Sequence, residues 1–437
     1  MVAQTGPAGV GTSEDNLIWI VADGQTFTDA GITPAPANTS IYQWSDRSGN
    51  GHHFIEPIGT NQPIYQTNVL NGFGVLRFDG QHDRMLVSGL PHSDQASFFV
   101  VVKQFRLRHD SDGIFQGSPP GLAFSRFARH KSVGMWTFPE RPSLGRVVQT
   151  DETWLDIPPL EGEVTTPIGP FHIISQQMDG QYATQYLNLA RNGTIAYDGT
   201  VQAWSEFGIG RQGEESLDGQ IAELLVYNRN VNEAERLIIN NYLSAKYAIP
   251  LAQDDLYVAD NPENGDFDFE VAGIGQFDLL NAQTDAQGTG RVRIHNAKDL
   301  DDGEFLLWGH DQGQLTFHEA EDVPNSVRIR LGRSWRVSEV DLSGHATDLG
   351  AVDLTIDLNG IDGLTGLRAQ DLRLIVDTDA DGTFETALAL GNAQQTGIHT
   401  YTFNTVTALV DGARFTFGIG KRYVITNRRI TYRVRKD

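Results

Sequence analysis

The stretch DTDADGTFE at 377–385 sets Asp377, Asp379 and Asp381 at alternate positions, followed by Gly382, Thr383 and Glu385. Hard cations take carboxylate and carbonyl oxygens, and a glycine at the sixth position allows the sharp turn such a loop needs. The spacing therefore predicts calcium, held by Asp377, Asp379, Asp381, the Thr383 carbonyl and Glu385. The twelfth position, where a bidentate Glu normally completes the shell, is Leu388. The competing reading is an Asp- and Gly-rich hairpin turn. DLDDGE at 299–304 is a lesser candidate of the same kind.

A second acidic stretch, DFDFE, would put Asp266, Asp268 and Glu270 on one face of a strand. Retaining glycosidases need two carboxylates about 5–5.5 Å apart, which alternate strand positions can supply. Such acids are also common on solvated strand faces, and the reading here is that no residue is catalytic. His52, His53, His82 and His92 lack any metal-ligand spacing and read as loop histidines. No nucleophile elbow, phosphate loop or zinc-protease helix is present. Among the seven tryptophans, Trp19, Trp44, Trp308 and Trp335 sit in alternating patterns and read as core. Trp136 and Trp154 lie in irregular stretches, where an indole can stack on the apolar face of a sugar; core filling or a subunit contact is the alternative.

These groups sit in a chain of 437 residues with net charge −23. An acidic surface repels nucleic acid and anionic lipid, so neither is an expected partner. With no cysteines, disulfides, zinc–thiolate sites and thiol nucleophiles are excluded. No apolar run approaches the ~18 residues of a membrane span. The N-terminal MVAQTGPAGVGT has neither a basic region nor an apolar stretch, so any export signal is expected to be missing from this chain.

The elements that must position these residues are strands. NLIWIVA (16–22), GVLRFDG (74–80), SFFVVVKQF (97–105), FHIISQQ (171–177) and IAELLVYN (221–228) are separated by turn signals such as SGNG and NG. One helix interrupts the pattern. Asn232 and Glu235 form a capping-box pair, and Ala234, Leu237, Ile238, Tyr242 and Ala245 share a face. Pro250 prevents continuation. The expected role is to close one end of a sandwich.

NLIWIVADGQTF (16–27), YQWSDRSGNGHHF (42–54), GVLRFDGQHDRM (74–85) and the segment from FGIGRQGEESLDG through the helix to 247 together resemble the laminin-G-like branch of the concanavalin A-like jelly rolls of bacterial secreted proteins. The resemblance covers about 235 residues. It implies a recognition domain, and it admits calcium ligands among Asp79, Asp83, Asp218 and Glu223. It also raises the runner-up, a polysaccharide-acting glycoside hydrolase. That superfamily's β-glucanases carry E-x-D-x-x-E or E-x-D-x-E, which DFDFE does not reproduce. The second half, with YVADNPENGDFDFEVAGIGQ (257–276), FLLWGHDQGQLTF (305–317), RSWRVSEV (333–340) and LRLIVDTDADGTF (372–384), resembles a little-characterised sandwich module of bacterial surface proteins.

The last 17 residues, KRYVITNRRITYRVRKD, carry seven Lys or Arg and one Asp, a net +6, which leaves −29 for the rest. Val424, Ile430, Tyr432 and Val434 alternate with Arg429, Arg433 and Arg435, so this segment predicts a strand with one basic face. Arg428, Arg429, Ile430, Tyr432 and Val434 are the candidate assembly residues, for a homo-oligomer or filament built through the termini. The alternative is a strand completing its own sandwich.

The sequence thus predicts an all-β chain: an N-terminal extension (1–15), a concanavalin/laminin-G-like sandwich (16–251), a second sandwich (252–420) and a basic C-terminal strand (421–437). The expected role is an extracellular or cell-surface protein, non-enzymatic, that adheres to a glycan or surface protein or builds an extracellular assembly.

Overall fold

In the computed structural model the described residues are 6–91, 93, 95–106, 112–118, 133–137, 146–148, 154–156, 169–197, 206–212, 215–362, 364, 366–379 and 381–421. Among the described residues the fold is all-β with one α-helix, Glu233–Tyr247. The strands form two sandwiches. The first comprises two nine-stranded antiparallel sheets, and the second a nine-stranded sheet packed on a five-stranded one.

Alternation along the inner strands shows how the layers stack. In Ala96–Gln104, Phe98, Val100 and Val102 face the core of the first sandwich, while Phe99 and Val101 face the opposite way, toward the helix. In Glu304–His310, Leu306 and Trp308 face the core of the second sandwich, while Phe305 and Leu307 face the helix. Both inner sheets are therefore covered on both faces. This explains why Asp218–Tyr227 is buried at every position and reads as a near-continuous apolar run.

The helix is the middle layer. Every residue from Ala234 to Tyr247 is buried. It does not close the end of one sandwich, as its single apolar stripe suggests. Ile239, Leu243 and Tyr247, off that stripe, are buried as well, because a second sheet packs on that side. Gly273 permits the close approach: a Cβ there would lie 2.9 Å from Leu307 and 3.3 Å from Ile238. The expected capping box is present, with Asn232 Oδ1 accepting the Glu235 N–H at 3.0 Å and Glu235 Oε2 accepting the Asn232 N–H at 2.8 Å. Buried Asn241 ties the following linker to the helix, its Oδ1 accepting the N–H groups of Leu256 and Tyr257 at 2.8 and 3.0 Å.

Residues 6–11 also enter this junction. Ala8 and Val10 belong to its core, and Gln283 donates to the Gly9 carbonyl at 2.6 Å. Its Gly and Pro residues suit this stretch to a tight buried turn within its own chain. The basic strand, with Arg428, Arg429, Ile430, Tyr432 and Val434, lies outside the described residues. Trp19, Trp44, Trp308 and Trp335 are core residues, each at most 3% exposed.

Candidate ligand site at the domain junction

The junction contains a buried charge. Glu223 lies in the middle of Asp218–Tyr227 and is fully inaccessible. Strand alternation would turn it into the core of the first sandwich. The pairing with Ala96–Gln104 shifts register between Ile221 and Glu223, and this bulge turns Glu223 toward the helix. Its Oε1 accepts from Trp19 Nε1 at 2.8 Å and Tyr242 Oη at 2.9 Å. Its Oε2 accepts from Lys246 Nζ at 2.6 Å and Tyr247 Oη at 2.8 Å. Burial pulls the Lys246 ammonium below the ordinary lysine range, and the Glu223 charge opposes that pull. Four charge-assisted donors on one carboxylate make the buried pair tolerable.

Above this knot opens a cavity of about 220 Å³. The first sandwich contributes Val21, Asp23, Arg47 and Phe73, and the helix contributes Tyr242 and Lys246. The second sandwich contributes Phe269, Glu270, Thr289, His310, Gln312 and Arg333. Neither sandwich alone forms the site.

Arg47 comes from the WSDRSGNG turn. Asp46 organises that turn by accepting the N–H groups of Trp19, Ser48 and His52 at 2.9, 2.9 and 3.1 Å. Arg47 stacks its guanidinium 4.8 Å from the Trp19 ring centre. Asp23 accepts from Tyr65 Oη and the Gly74 N–H, each at 3.2 Å; burial and the Asp23 charge push the Tyr65 hydroxyl up to about 12.

On the opposite wall, Glu270 adopts a left-handed backbone, φ 52°, where the pairing of Phe269–Asp278 with Glu304–His310 changes register. This conformation is costly for a non-glycine residue and recurs where a side chain is aimed at a site. The Gln312 N–H donates to His310 Nδ1 at 3.0 Å, which leaves the proton on Nε2 for Glu270 Oε2 at 2.8 Å. Arg333 Nη1 lies 3.1 Å from that Nε2 and 3.7 Å from Glu270 Oε2, where its charge supports the carboxylate. Burial would raise the Glu270 carboxyl, but His310, Arg333 and Thr289 together hold it below the usual range. Burial lowers His310, against the pull of Glu270, and favours the neutral ring. Phe269 stacks on His310 at 5.9 Å and 14° and meets Phe73 at 5.9 Å, joining the two walls.

The DFDFE acids are not set along one regular strand. Asp268 accepts from Asn71 Nδ2 at 3.0 Å; burial pushes its carboxyl up to about 6, with the Asn71 hydrogen bond opposing and Asp266 adding to the rise. It does not line the cavity, whereas Glu270 does. The one-face expectation fails because the regular strand begins only at Phe269 and is irregular at once.

The other sequence candidates have protein partners. Asp218 pairs with Arg77 at 2.5 Å and Arg106 at 2.6 Å. Asp79 caps a turn by accepting from Gln81, His82 and Asp83. Asp79, Asp83, Asp218 and Glu223 do not form a cation-holding group among the described residues. His52 donates to the Leu17 carbonyl at 2.7 Å, tying the turn to the strand Asn16–Val21, and His53 accepts the Asp46 N–H at 3.1 Å within the turn. Trp136 and Trp154 fall on Val133–Thr137 and Trp154–Asp156 of the outer sheet; their side chains are outside the described set. Asp377, Asp379 and Asp381 do converge, with carboxylate oxygens within 4.8 Å of one another; Glu385 is not part of that group.

Sequence reasoning missed most of the cavity. A charged residue inside the apolar run IAELLVY and a lysine on a fully buried helix, 23 residues apart, were the available signals for the knot. His310 and Arg333 have no local signal, because only sheet topology brings them to Glu270.

Comparison with known proteins adds little about this site. A family model described as a domain of unknown function (DUF8202) matches residues 235–413, taking in most of the helix and the second sandwich. No curated protein matches. Domain 4 of AbnA, an extracellular GH43 arabinanase from Geobacillus stearothermophilus, in complex with arabinotriose, aligns at 16% identity over 47% of this chain and 97% of that one, TM-score 0.34. The binding domain of botulinum neurotoxin serotype D aligns at 9% identity over 94% and 97%, TM-score 0.37. A Trypanosoma rangeli sialidase in complex with the inhibitor DANA aligns at 13% identity over 51% of this chain and 32% of that one, TM-score 0.31. No functional argument rests on likenesses at this level. Among the described residues, no helix is long and apolar enough to cross a membrane.

Proposed function

We propose that this chain is a non-enzymatic binding protein of the bacterial cell exterior that takes a carbohydrate ligand in the cavity between its sandwiches. The observation that carries the reading is the composition of that cavity: Phe73, Phe269 and Tyr242 beside Arg47, Asp23, Glu270 and Thr289. Sugars present an apolar face to aromatic rings and hydroxyls to fixed polar groups, and binding sites favour such clefts between domains. The laminin-G-like resemblance of the first sandwich is in keeping with recognition, although fold alone does not define function.

The state of Glu270 supports binding without hydrolysis: a glycosidase's general acid needs a raised carboxyl at working pH, and Glu270 is held low. It serves instead as a fixed hydrogen-bond acceptor. The test is a glycan array followed by calorimetric titration of the purified chain. The expected result is binding of a glycan that is released unchanged, lost in Phe269→Ala with the fold intact. Hydrolysis of a polysaccharide that disappears in Glu270→Gln would overturn the non-enzymatic reading, and undiminished binding by Phe269→Ala would move the site elsewhere.

A further inference from the structure

We infer that Asp377, Asp379 and Asp381 of the second sandwich form a calcium site. Asp377 ends the strand Leu372–Asp377, and the chain then turns sharply, with Gly382 at φ 88°. This brings oxygens of Asp377, Asp379 and Asp381 within 4.8 Å of one another. Oxygens on one calcium lie at roughly 2.3–2.6 Å from it, so two ligands across the ion are separated by about the same span.

A cluster of acids alone would be ordinary for an exposed turn. Asp377 makes this one different. It is 1% exposed, and its Oδ1 is buried without a hydrogen-bond partner. Its Oδ2 accepts the Gly382 N–H at 3.2 Å. Buried carboxylate oxygens are normally satisfied, and an orphan beside two further carboxylates calls for a cation. Arg414 faces Asp377 across the sheet but spends its Nη1 on the Gly382 carbonyl at 2.9 Å.

The residues that follow Gly382 are anchored. Phe384, 1% exposed, packs with Val327 and Ile375, and Asp381 accepts the Thr383 N–H at 2.7 Å. The Thr383 carbonyl is the next oxygen along the loop, and water is needed to complete the shell, since Glu385 stands apart.

The experiment is thermal unfolding and calorimetric titration of the full chain with calcium chloride, against chelator and against magnesium. Wild type should bind one calcium, with its Tm raised by several degrees in millimolar calcium. Asp379→Asn and Asp381→Asn, both exposed and therefore tolerable in the fold, should lose the shift, while Asp301→Asn in the other acidic turn should keep it. An unchanged Tm in wild type overturns the assignment. So does a shift that survives in both loop variants, or an equal shift with magnesium.

Discussion

Glu223 and Lys246 pose the sharpest question at the scale of single residues: why keep a charged pair where apolar side chains would pack? A buried pair is poor evidence for stability, but removing one partner is costly, about 3–5 kcal/mol. Lys246→Met should therefore destabilise the chain by about that much, read by denaturant unfolding, because it leaves Glu223 buried with only three neutral donors. A loss below about 1 kcal/mol would show that those donors suffice. Glu270→Gln removes the acceptor that His310 and Arg333 surround. It should abolish glycan binding while leaving Tm nearly unchanged, since the side chain is one-third exposed.

The helix matters most among the elements, and here the sequence was both informative and misleading. Its ends were legible because capping is local chemistry: Asn232 and Glu235 bond as their spacing implies. Its burial was not, because a stripe of five residues reveals one packed face and says nothing of a second sheet. The strands were readable from alternation and turns, and the convergence of Asp377, Asp379 and Asp381 from their spacing. The cavity was illegible, since Arg47, Tyr242, Glu270 and Arg333 meet only through topology. Leu237→Asp should cost several kcal/mol, as a charge enters an apolar core shared by both sandwiches. Gly273→Val should cost about 1–3 kcal/mol by forcing Leu307 and Ile238 apart. Because the helix belongs to both halves, calorimetry should show both substitutions lowering one common transition. Two separate transitions, only one of which moves, would refute the shared core.

At the scale of the whole molecule, acidity and burial combine to set a pH optimum. Burial pushes the carboxyls of Asp83, Asp260 and Glu339 up to about 7, with nearby carboxylates adding to the rise. Between about pH 4 and 7 the folded chain thus holds more protons than the unfolded chain, so stability falls as pH rises through that window. Glu270 and Asp353 are held low, so their contribution is lost only at more acidic pH. The Tm should be higher near pH 5 than near pH 8, and a profile rising steadily to pH 8 would contradict these burial effects. The net charge of −23 works in the same direction, since protonation relieves self-repulsion.

The claim on which the account depends is that ligand binds between the two sandwiches and touches both. A crystal structure of the chain with the tightest array ligand tests it directly. The account predicts a sugar ring against Phe73 or Phe269, with hydroxyls bonded to Arg47 of the first sandwich and Glu270 of the second. A ligand seated on the outer sheet that carries Trp136 and Trp154, with the junction cavity holding only water, would contradict it.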